Sequence, residues 1–580
     1  MNKYANTEKL EKIRDLRHLQ RQVAGVHPKK KCYTYRRDDK IESITYAEHK
    51  HLTDALGTAF FDMGLGGKRV ALISETRWEW VATYLAAANG GGCIVPIDRE
   101  INPEQIVNFI ERAGCSAVVY SSECKKTIEE YAKNPACKVK CFIGLDYSRE
   151  TDVPDGAANI YSFGALLESG KSLLARGSTA FTEAVIDPGK ECVILFTSGT
   201  TGTSKAVMLS HTNMASSIYD SVCGVDFDSS DRLVSVLPSH HTYEATCGIF
   251  ATYALGCEVF INDSLKMVLR NFGMYKPTAL VLVPLFVETM AKKMWDEIEK
   301  RGKTKLVKRA MVLSSTLRKV GIDMRRVFFK EILDSFGGEL RLIISGGAPL
   351  NPIYVPMFDA IGITLAQGYG TTECAPLLSV VPSDYVMKKV GSVGPAVLGV
   401  ELKIHSPVGD KYGEILAKGG NVMMGYMGDP EATKECMTED GFYRTGDIGY
   451  LDKDGFLYIT GRKKNVIVLS NGKNVYPEEI EEYLNQSELI KECVVTARQK
   501  TTGGDTGDIT LCALIYPDHE KFAAEGSPAP DADEVFKKIN EEVIRINKKL
   551  PLYKQINIVE IRETEFARNA SKKIMRHKLN

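Results

Sequence analysis

The chain has 580 residues, 44% of them hydrophobic and 26% charged, with 74 basic residues balancing 74 acidic ones. That length allows two or more domains and a large core, and the zero net charge argues against a general nucleic-acid surface. Fourteen cysteines without a CxxC pair suggest neither a zinc site nor a disulfide framework, so reduced thiols in a cytoplasm are expected.

Residues 1 to about 40 read as a polar, helical lead-in. Met1 to Arg21 is charged throughout and has nothing of a signal peptide. The basic run His27-Pro-Lys-Lys-Lys31 reads as a solvated surface, with membrane contact peripheral at most. From Ile44 helices and strands alternate: Tyr46 to Met63 at helical spacing, Arg69 to Ile73 a strand, Glu79 to Ala88 a helix. Cys93 to Pro96, a helix over Pro103 to Ala113, and Ala117 to Tyr120 continue the pattern, which predicts parallel α/β layers. The longest apolar run, Ala279 to Val287, contains Pro284 and is too short to cross a bilayer. A soluble protein is expected.

One stretch stands out. The apolar run Cys192 to Phe196 breaks into Thr197, Ser198, Gly199, Thr200, Thr201 and Gly202, then Thr203, Ser204 and Lys205, before a second apolar run, Ala206 to Leu209. Two strands joined by a tight loop are predicted. Gly199 and Gly202 allow positive φ, so that successive N–H groups can form a nest for an anion. Hydroxyls and the Lys205 ammonium add donors. Phosphate suits this chemistry. The Walker loop does not, because Gly199 and Gly202 are too close and Ala206 offers no magnesium ligand.

Further strands are expected at Leu233 to Leu237, Ala279 to Pro284 and Leu340 to Ser345, with helices at Val287 to Lys300 and Met324 to Phe336. Gly346-Gly-Ala-Pro349 follows the last of these strands. Gln367-Gly-Tyr-Gly-Thr-Thr-Glu373 offers an aromatic face, tight turns, hydroxyls and a carboxylate. From Gly391 to Ile459 short strands and Gly/Asp turns take over, a β-rich module containing Tyr443-Arg-Thr-Gly-Asp447. After Gly461-Arg-Lys-Lys464 the alternation restarts, with Pro477 at a first helical position and strands at Val494 to Ala497 and Leu511 to Tyr516. Asn569-Ala-Ser-Lys-Lys-Ile-Met-Arg576 sets two lysines and an arginine near the end. Taken singly, each has a plain reading: Tyr369 as core, Asp447 as a turn residue, the lysines as a solvated tail.

Together, in this order, they resemble the acyl-adenylate-forming superfamily of acyl-CoA synthetases, adenylation domains and luciferase, over nearly the whole chain. Ser74 to Trp80, Leu237 to Glu244 and Gly461 to Ile480 are most similar to the long-chain fatty acyl-CoA synthetase branch. The resemblance implies a large N-terminal domain of stacked α/β layers with a β-rich subdomain (1–461), a hinge (462–464) and a small mobile C-terminal α+β domain (465–580). It implies ATP, Mg²⁺ and coenzyme A. Thr197 to Gly202 and Lys205 would hold the β- and γ-phosphates. Gly347, Ala348 and Pro349 with Gln367, Gly368, Tyr369, Gly370 and Thr371 would line the adenine slot, Tyr369 stacking on the base. Thr372 would meet the α-phosphate and Glu373 would hold Mg²⁺. Asp447 would accept the ribose hydroxyls, with Ile459, Arg462 and Lys464 also beside the nucleotide. His241 would stand at the acyl-pocket mouth, and Lys573 would be the catalytic lysine of the terminal motif.

Four positions depart from the family pattern: Ser204 and Ala206 in the loop, Lys572 where glycine is usual, and His240 as a second imidazole beside His241. The expected substrates are a carboxylic acid, ATP and coenzyme A, with an acyl carrier protein as the alternative thiol acceptor. Medium- to long-chain fatty acids are expected from the His241–Glu244 resemblance and from the small or aliphatic Gly346, Ala375, Leu377, Leu378 and Val380 near the slot.

Overall fold

The computed structural model describes residues 4–37, 40–154, 159–197, 204–406, 411–469, 474–499, 509–522, 531–568 and 574–579. Two compact units emerge. The larger comprises Met1–Leu350, Tyr354–Leu402 and Ala417–Tyr443; the smaller comprises Asn351–Ile353, Lys403–Leu416 and Arg444–Asn580.

The larger unit contains two eight-stranded sheets, as an α/β chain requires. Its central strands are short runs buried at every position, such as Ala117–Tyr120, Ala279–Leu282 and Leu342–Ser345. Runs of that kind form parallel strands covered on both faces. In the first sheet Cys93–Pro96, Arg69–Ile73, Ala117–Tyr120, Cys141–Gly144 and Ile160–Ser162 pair in parallel. Glu191–Thr197 joins them in parallel, and Lys205–Ser210 then runs antiparallel to it. In the second, Thr364–Gly370, Leu342–Ser345, Ala279–Leu282, Arg232–Ser235 and Glu258–Ile261 are parallel, and Leu377–Val380 closes one edge antiparallel. The C-terminal ends of parallel strands are where such sheets place ligands. Gly346 to Pro349 and Thr371 to Glu373 both leave the second sheet at such ends.

In the smaller unit Ile490–Gln499 pairs antiparallel with Ile509–Pro517, which pairs in parallel with Ile558–Ile561. The helices Pro477–Leu484 and Ala532–Asn547 contribute Ile480, Leu484, Ile539, Val543 and Ile546 to a core with Val495, Leu511 and Ile515. Pro477 does begin its helix. A four-stranded sheet of Val400–His405, Gly413–Gly419, Tyr443–Leu451 and Leu457–Arg462 accounts for the β-rich texture.

Several expectations are corrected. The helical lead-in stops at Val26, and Lys31–Arg37 is a strand pairing with Lys40–Thr45 and Glu258–Ile261. Tyr and Thr side chains there are buried although the segment looks polar: Tyr33 and Thr34 are both core. The basic run therefore sits in the connection between helix and strand. Met324 to Phe336 is two short helices, Arg325–Phe328 and Lys330–Asp334, broken where Phe329 turns inward. Gln367 to Gly370 is strand, and the turn comes only after it.

Helices Tyr46–Asp62 and Phe163–Ala175 cross with their backbones in contact: a Cβ on Gly170 would lie 1.9 Å from the Ala55 carbonyl oxygen. Gly170→Ala is expected to cost about 1–3 kcal/mol by overpacking. Urea titration should show a lower midpoint with an unchanged slope.

Candidate active site

Glu191–Thr197 and Lys205–Ser210 hold both ends of the hydroxyl-rich loop, whose Ser198, Gly199, Thr200, Thr201 and Gly202 lie outside the described residues. Thr197 and Lys205 stand opposite each other in register, and the Thr197 hydroxyl donates to the Lys205 carbonyl at 3.4 Å. The Arg112 guanidinium donates to the Ser204 carbonyl at 3.0 Å and stacks over Phe196, fixing the loop's exit.

The Lys205 ammonium lies 4.5 Å from the centre of the Tyr426 ring. That ring's hydroxyl donates to Glu373 Oε1 at 2.9 Å. One tyrosine therefore connects the cation at the loop to the carboxylate expected to hold a metal. Burial and the neighbouring Glu373 push the Tyr426 hydroxyl far above its ordinary value, so it stays a donor. The Glu373 carbonyl accepts from Met423 N–H at 2.8 Å, anchoring the turn Thr372–Cys374. Tyr426 was missed by sequence reasoning, because it sits in a two-residue strand, Gly425–Tyr426, with no motif of its own.

Gly370 has to be glycine. A Cβ there would lie 2.0 Å from the Pro376 carbonyl oxygen, to which Thr371 N–H donates at 3.0 Å. Tyr369 occupies the same strand opposite Ser379, and Gln367 stands opposite Ser345. Beyond Ser345 the chain turns through Gly346 and Gly347, the latter at φ +81°, into Ala348 and Pro349. The Tyr243 ring covers Gly346, where a Cβ would approach it to 2.9 Å, and its hydroxyl donates to the carbonyls of Ile344 at 3.0 Å and Leu282 at 3.3 Å. The hydroxyls of Ser345 and Thr371 are buried with no protein partner among the described residues. Orphaned hydroxyls beside glycine turns at strand ends suit a polar, polyoxygenated ligand such as a nucleotide.

Thr242 brings a further element in: its hydroxyl meets that of Thr372 at 3.5 Å. The two imidazoles lie side by side. His240 Nε2 faces Asp98 Oδ2 at 3.6 Å, and burial holds that ring neutral by pushing its pKa well below the ordinary range. His241, its ring centre 4.2 Å from that of His240, directly precedes Thr242.

The remaining expected residues belong to the smaller unit. Asp447 is no turn residue. It lies in the strand Tyr443–Leu451 opposite Arg462, is 4% exposed, and accepts from Arg462 Nε at 2.7 Å. Ile459 is in the partner strand opposite Gly449. Lys464 follows in the single turn Lys463–Asn465, its ammonium pushed down by burial and by the charges of Arg462 and Arg576. Lys572 and Lys573 lie outside the described residues. Their flanks are clamped: Arg568 pairs with Glu492, Arg576 reaches Glu481 Oε2 at 2.5 Å, and Arg568 bridges to Ile574.

Next to the site Tyr243–Phe250 forms a π-helix, with Glu244 1% exposed inside it. Its carboxyl fills the space a side chain at Gly248 would take and accepts from the Ser235 hydroxyl. Burial pushes this carboxyl from 4.5 up to about 8, against the lowering effect of that hydrogen bond. In between, the folded chain keeps a proton that the unfolded chain releases. The associated stability is complete below 4.5 and is lost as pH rises through about 8. Glu244→Gln, which keeps shape and neutrality, is expected to flatten that decline; urea midpoints of both proteins between about pH 5 and pH 8 check it.

Residues 19–427 match the family model described as AMP-binding enzyme, and residues 464–580 match that of the AMP-binding enzyme C-terminal domain. The chain is 29% identical over 499 residues to the long-chain-fatty-acid–CoA ligase FadD15 of Mycobacterium bovis, covering 83% of this chain and 78% of the relative. Two solved structures share the fold. The fatty acyl CoA synthetase of Mycobacterium tuberculosis superposes with TM-score 0.65 at 22% identity, covering 97% of each chain. The o-succinylbenzoate coenzyme A synthetase of Bacillus subtilis, solved with ATP and magnesium ion, gives 0.68 at 20% identity, covering 97% of this chain and 98% of that one. By its two matched domains the chain belongs to the AMP-binding enzyme family.

Proposed function

We propose that the protein is an AMP-forming acid–thiol ligase that activates a medium- to long-chain fatty acid with ATP and passes the acyl group to coenzyme A. The observation that carries this reading is the line Lys205–Tyr426–Glu373, with Thr372 beside the carboxylate. It sets a cation at the end of the anion-binding loop and a carboxylate on the far side of one ring. Triphosphate and a divalent cation need that distribution of charge. Mg²⁺ held by Glu373 would neutralise phosphate charge as it develops.

In the first half-reaction a carboxylate oxygen of the acid attacks the α-phosphorus, the bond to the β-phosphate oxygen breaks, and pyrophosphate leaves. Both reactants are anions, so positioned charge does most of the work. Lys205 and the loop take the β- and γ-phosphates, Thr372 the α-phosphate, and Lys573 the oxygens between the attacking acid and pyrophosphate. Gly347 to Pro349 and Gln367 to Thr371 line the adenine slot with Tyr369 on the base. Asp447 accepts the ribose hydroxyls, beside Arg462. In the second half-reaction the thiol sulfur attacks the acyl carbon, the mixed anhydride opens, the thiol proton passes to solvent, and AMP leaves. Lys573 has no part in that step. Residues 462–464 act as the hinge that carries the C-terminal domain from one arrangement to the other, a division supported by the C-terminal family match beginning at residue 464.

The matched relative's name supports a long-chain acid and coenzyme A in place of a carrier protein. No helix among the described residues is long and apolar enough to cross a membrane. Fourteen free thiols support a reducing, cytoplasmic setting.

Lys573→Ala is expected to lower pyrophosphate release from acid and ATP by about 10²–10³. Thioester formation from supplied acyl-adenylate should be spared. Equal loss of both half-reactions, or of neither, would count against this assignment. The acid itself is read from a chain-length ladder. A buried alkyl tail gains about 0.8 kcal/mol per CH₂, so kcat/KM should rise several-fold per methylene until the channel is filled. A profile peaking at acetate would remove the fatty acid and leave the adenylate chemistry standing.

A further inference from the structure

The helix Thr304–Lys319 is distant in sequence from every residue placed in the site, and its surface chemistry is unusual. It has five basic residues and no acidic one, and the wider segment 300–330 has eleven basic residues against one acidic, Asp323. Part of that charge is neutralised locally: Arg301 by Glu297, Lys303 by Glu331, and Arg318 and Arg325 by Asp359. Lys305, Lys308, Arg309 and Lys319 have no carboxylate partner among the described residues.

The same helix carries an apolar stripe beside its buried face, half-buried at Ala310 and Leu317 and exposed at Leu306, Leu313 and Val320. Only Val307 and Ser314 are buried on it. Leu306, Ala310, Leu313, Leu317 and the capping Val320 follow one another at i, i+4, i+7, i+11 and i+14, the spacing of a single helical face. Leu306 is 64% exposed, Leu313 52% and Val320 71%. Val312, on the cationic side of the helix, is 69% exposed, and Val327 and Phe328 in the following turns are exposed as well. Sixteen residues make this stripe about 24 Å long. Solvent-facing leucine and valine at helical spacing is costly unless something covers it.

We propose that this helix lies in the surface of an anionic lipid bilayer, its leucines among the acyl chains and its lysines and arginine at the phosphate level. An apolar stripe bordered along its exposed side by unpaired cations is the pattern of an interfacial helix. A second copy of the chain fits poorly, since a symmetric contact would set four unpaired cations against four. A nucleic acid would answer the charge but leave the leucines without a partner. The inference is independent of the acid proposed above, because it concerns a surface that no step of that reaction uses. Its functional meaning is that a bilayer would be the reservoir from which a water-insoluble acid is drawn.

Co-sedimentation of the full chain with vesicles tests it. The wild type is expected to pellet with phosphatidylcholine vesicles containing phosphatidylglycerol, to stay in solution with phosphatidylcholine alone, and to be released by salt. Replacing Lys305, Lys308 and Arg309 together by glutamine should lower the partition coefficient about a hundredfold. The double variant Leu306→Ser, Leu313→Ser keeps every charge and should lower it about tenfold or more. Both variants should keep the wild-type thermal transition and its turnover of a short, soluble acid, which separates lost binding from lost folding. Wild type that ignores anionic vesicles overturns the proposal and leaves an acidic protein partner as the occupant. A serine variant that binds as tightly as wild type overturns it too, since the patch would then be a cation cluster with no insertion.

Discussion

The site depends on keeping a lysine and a glutamate near each other without letting them neutralise one another. Tyr426 does this in the larger unit: its ring face takes the Lys205 ammonium and its hydroxyl binds Glu373. A direct ion pair would satisfy both charges and leave neither for a ligand. A ring face attracts a cation by its quadrupole, typically by about 0.5–2 kcal/mol, which a phosphate or a divalent ion can displace. The arrangement orients two reactive charges at low cost and keeps both available. It relies in turn on the short strand Gly425–Tyr426, which pairs with Val207 and Met208 a few residues beyond Lys205. The tyrosine and the lysine are thus borne on neighbouring strands.

Elsewhere the chain solves the problem of buried carboxyls in two ways. Asp447 and Glu492 are paired with arginines, a choice that keeps a fixed negative charge at low exposure. Glu244 has no cation and is instead held neutral, with one serine hydroxyl as its donor. Desolvation alone favours the neutral acid, and a nearby guanidinium reverses that preference. Glu481 shows the two in competition: burial pushes its carboxyl up to about 7 even though Arg576 opposes the shift. The paired carboxyls flank segments expected to meet the nucleotide, and the neutral one lies inside a packed helix.

Much of this was legible in the sequence, and the reasons are specific. Arg69–Ile73, Cys93–Pro96 and Ala117–Tyr120 were found to the residue because apolar runs bounded by polar turns leave little choice. The two strands around the hydroxyl-rich loop were read from the apolar runs Cys192 to Phe196 and Ala206 to Leu209, and each extends into its polar neighbours, so that Thr197 and Lys205 are strand residues. Lys31–Arg37 was misread because burial of tyrosine and threonine against Glu258–Ile261 is a tertiary fact, invisible in a stretch that looks polar. Tyr426 could not have been found, since its partners come from residues more than fifty positions away in sequence. The plain reading of Asp447 as a turn residue, suggested by Thr-Gly-Asp, gives way to a strand position because of the cross-strand partner Arg462.

The π-helix over Tyr243–Phe250 has a consequence for how this protein can vary. A π-helix takes more residues per turn than an α-helix, so this segment holds about one residue more than an α-helix sweeping the same turns, and deleting one would let it relax to α geometry with both ends still facing the same way. Thr242 meets Thr372, Tyr243 reaches two strand-end carbonyls, and Glu244 meets Ser235, so the amino-terminal side cannot turn. On the carboxy-terminal side Thr252 Oγ1 donates to the Gly248 carbonyl, and Phe250 is fully buried, so that side cannot turn either. A one-residue deletion inside Tyr243–Phe250 is therefore the change of length that this doubly anchored segment can absorb. An insertion, by contrast, would add a further residue's rotation, about 100°, and turn one anchored end against the other.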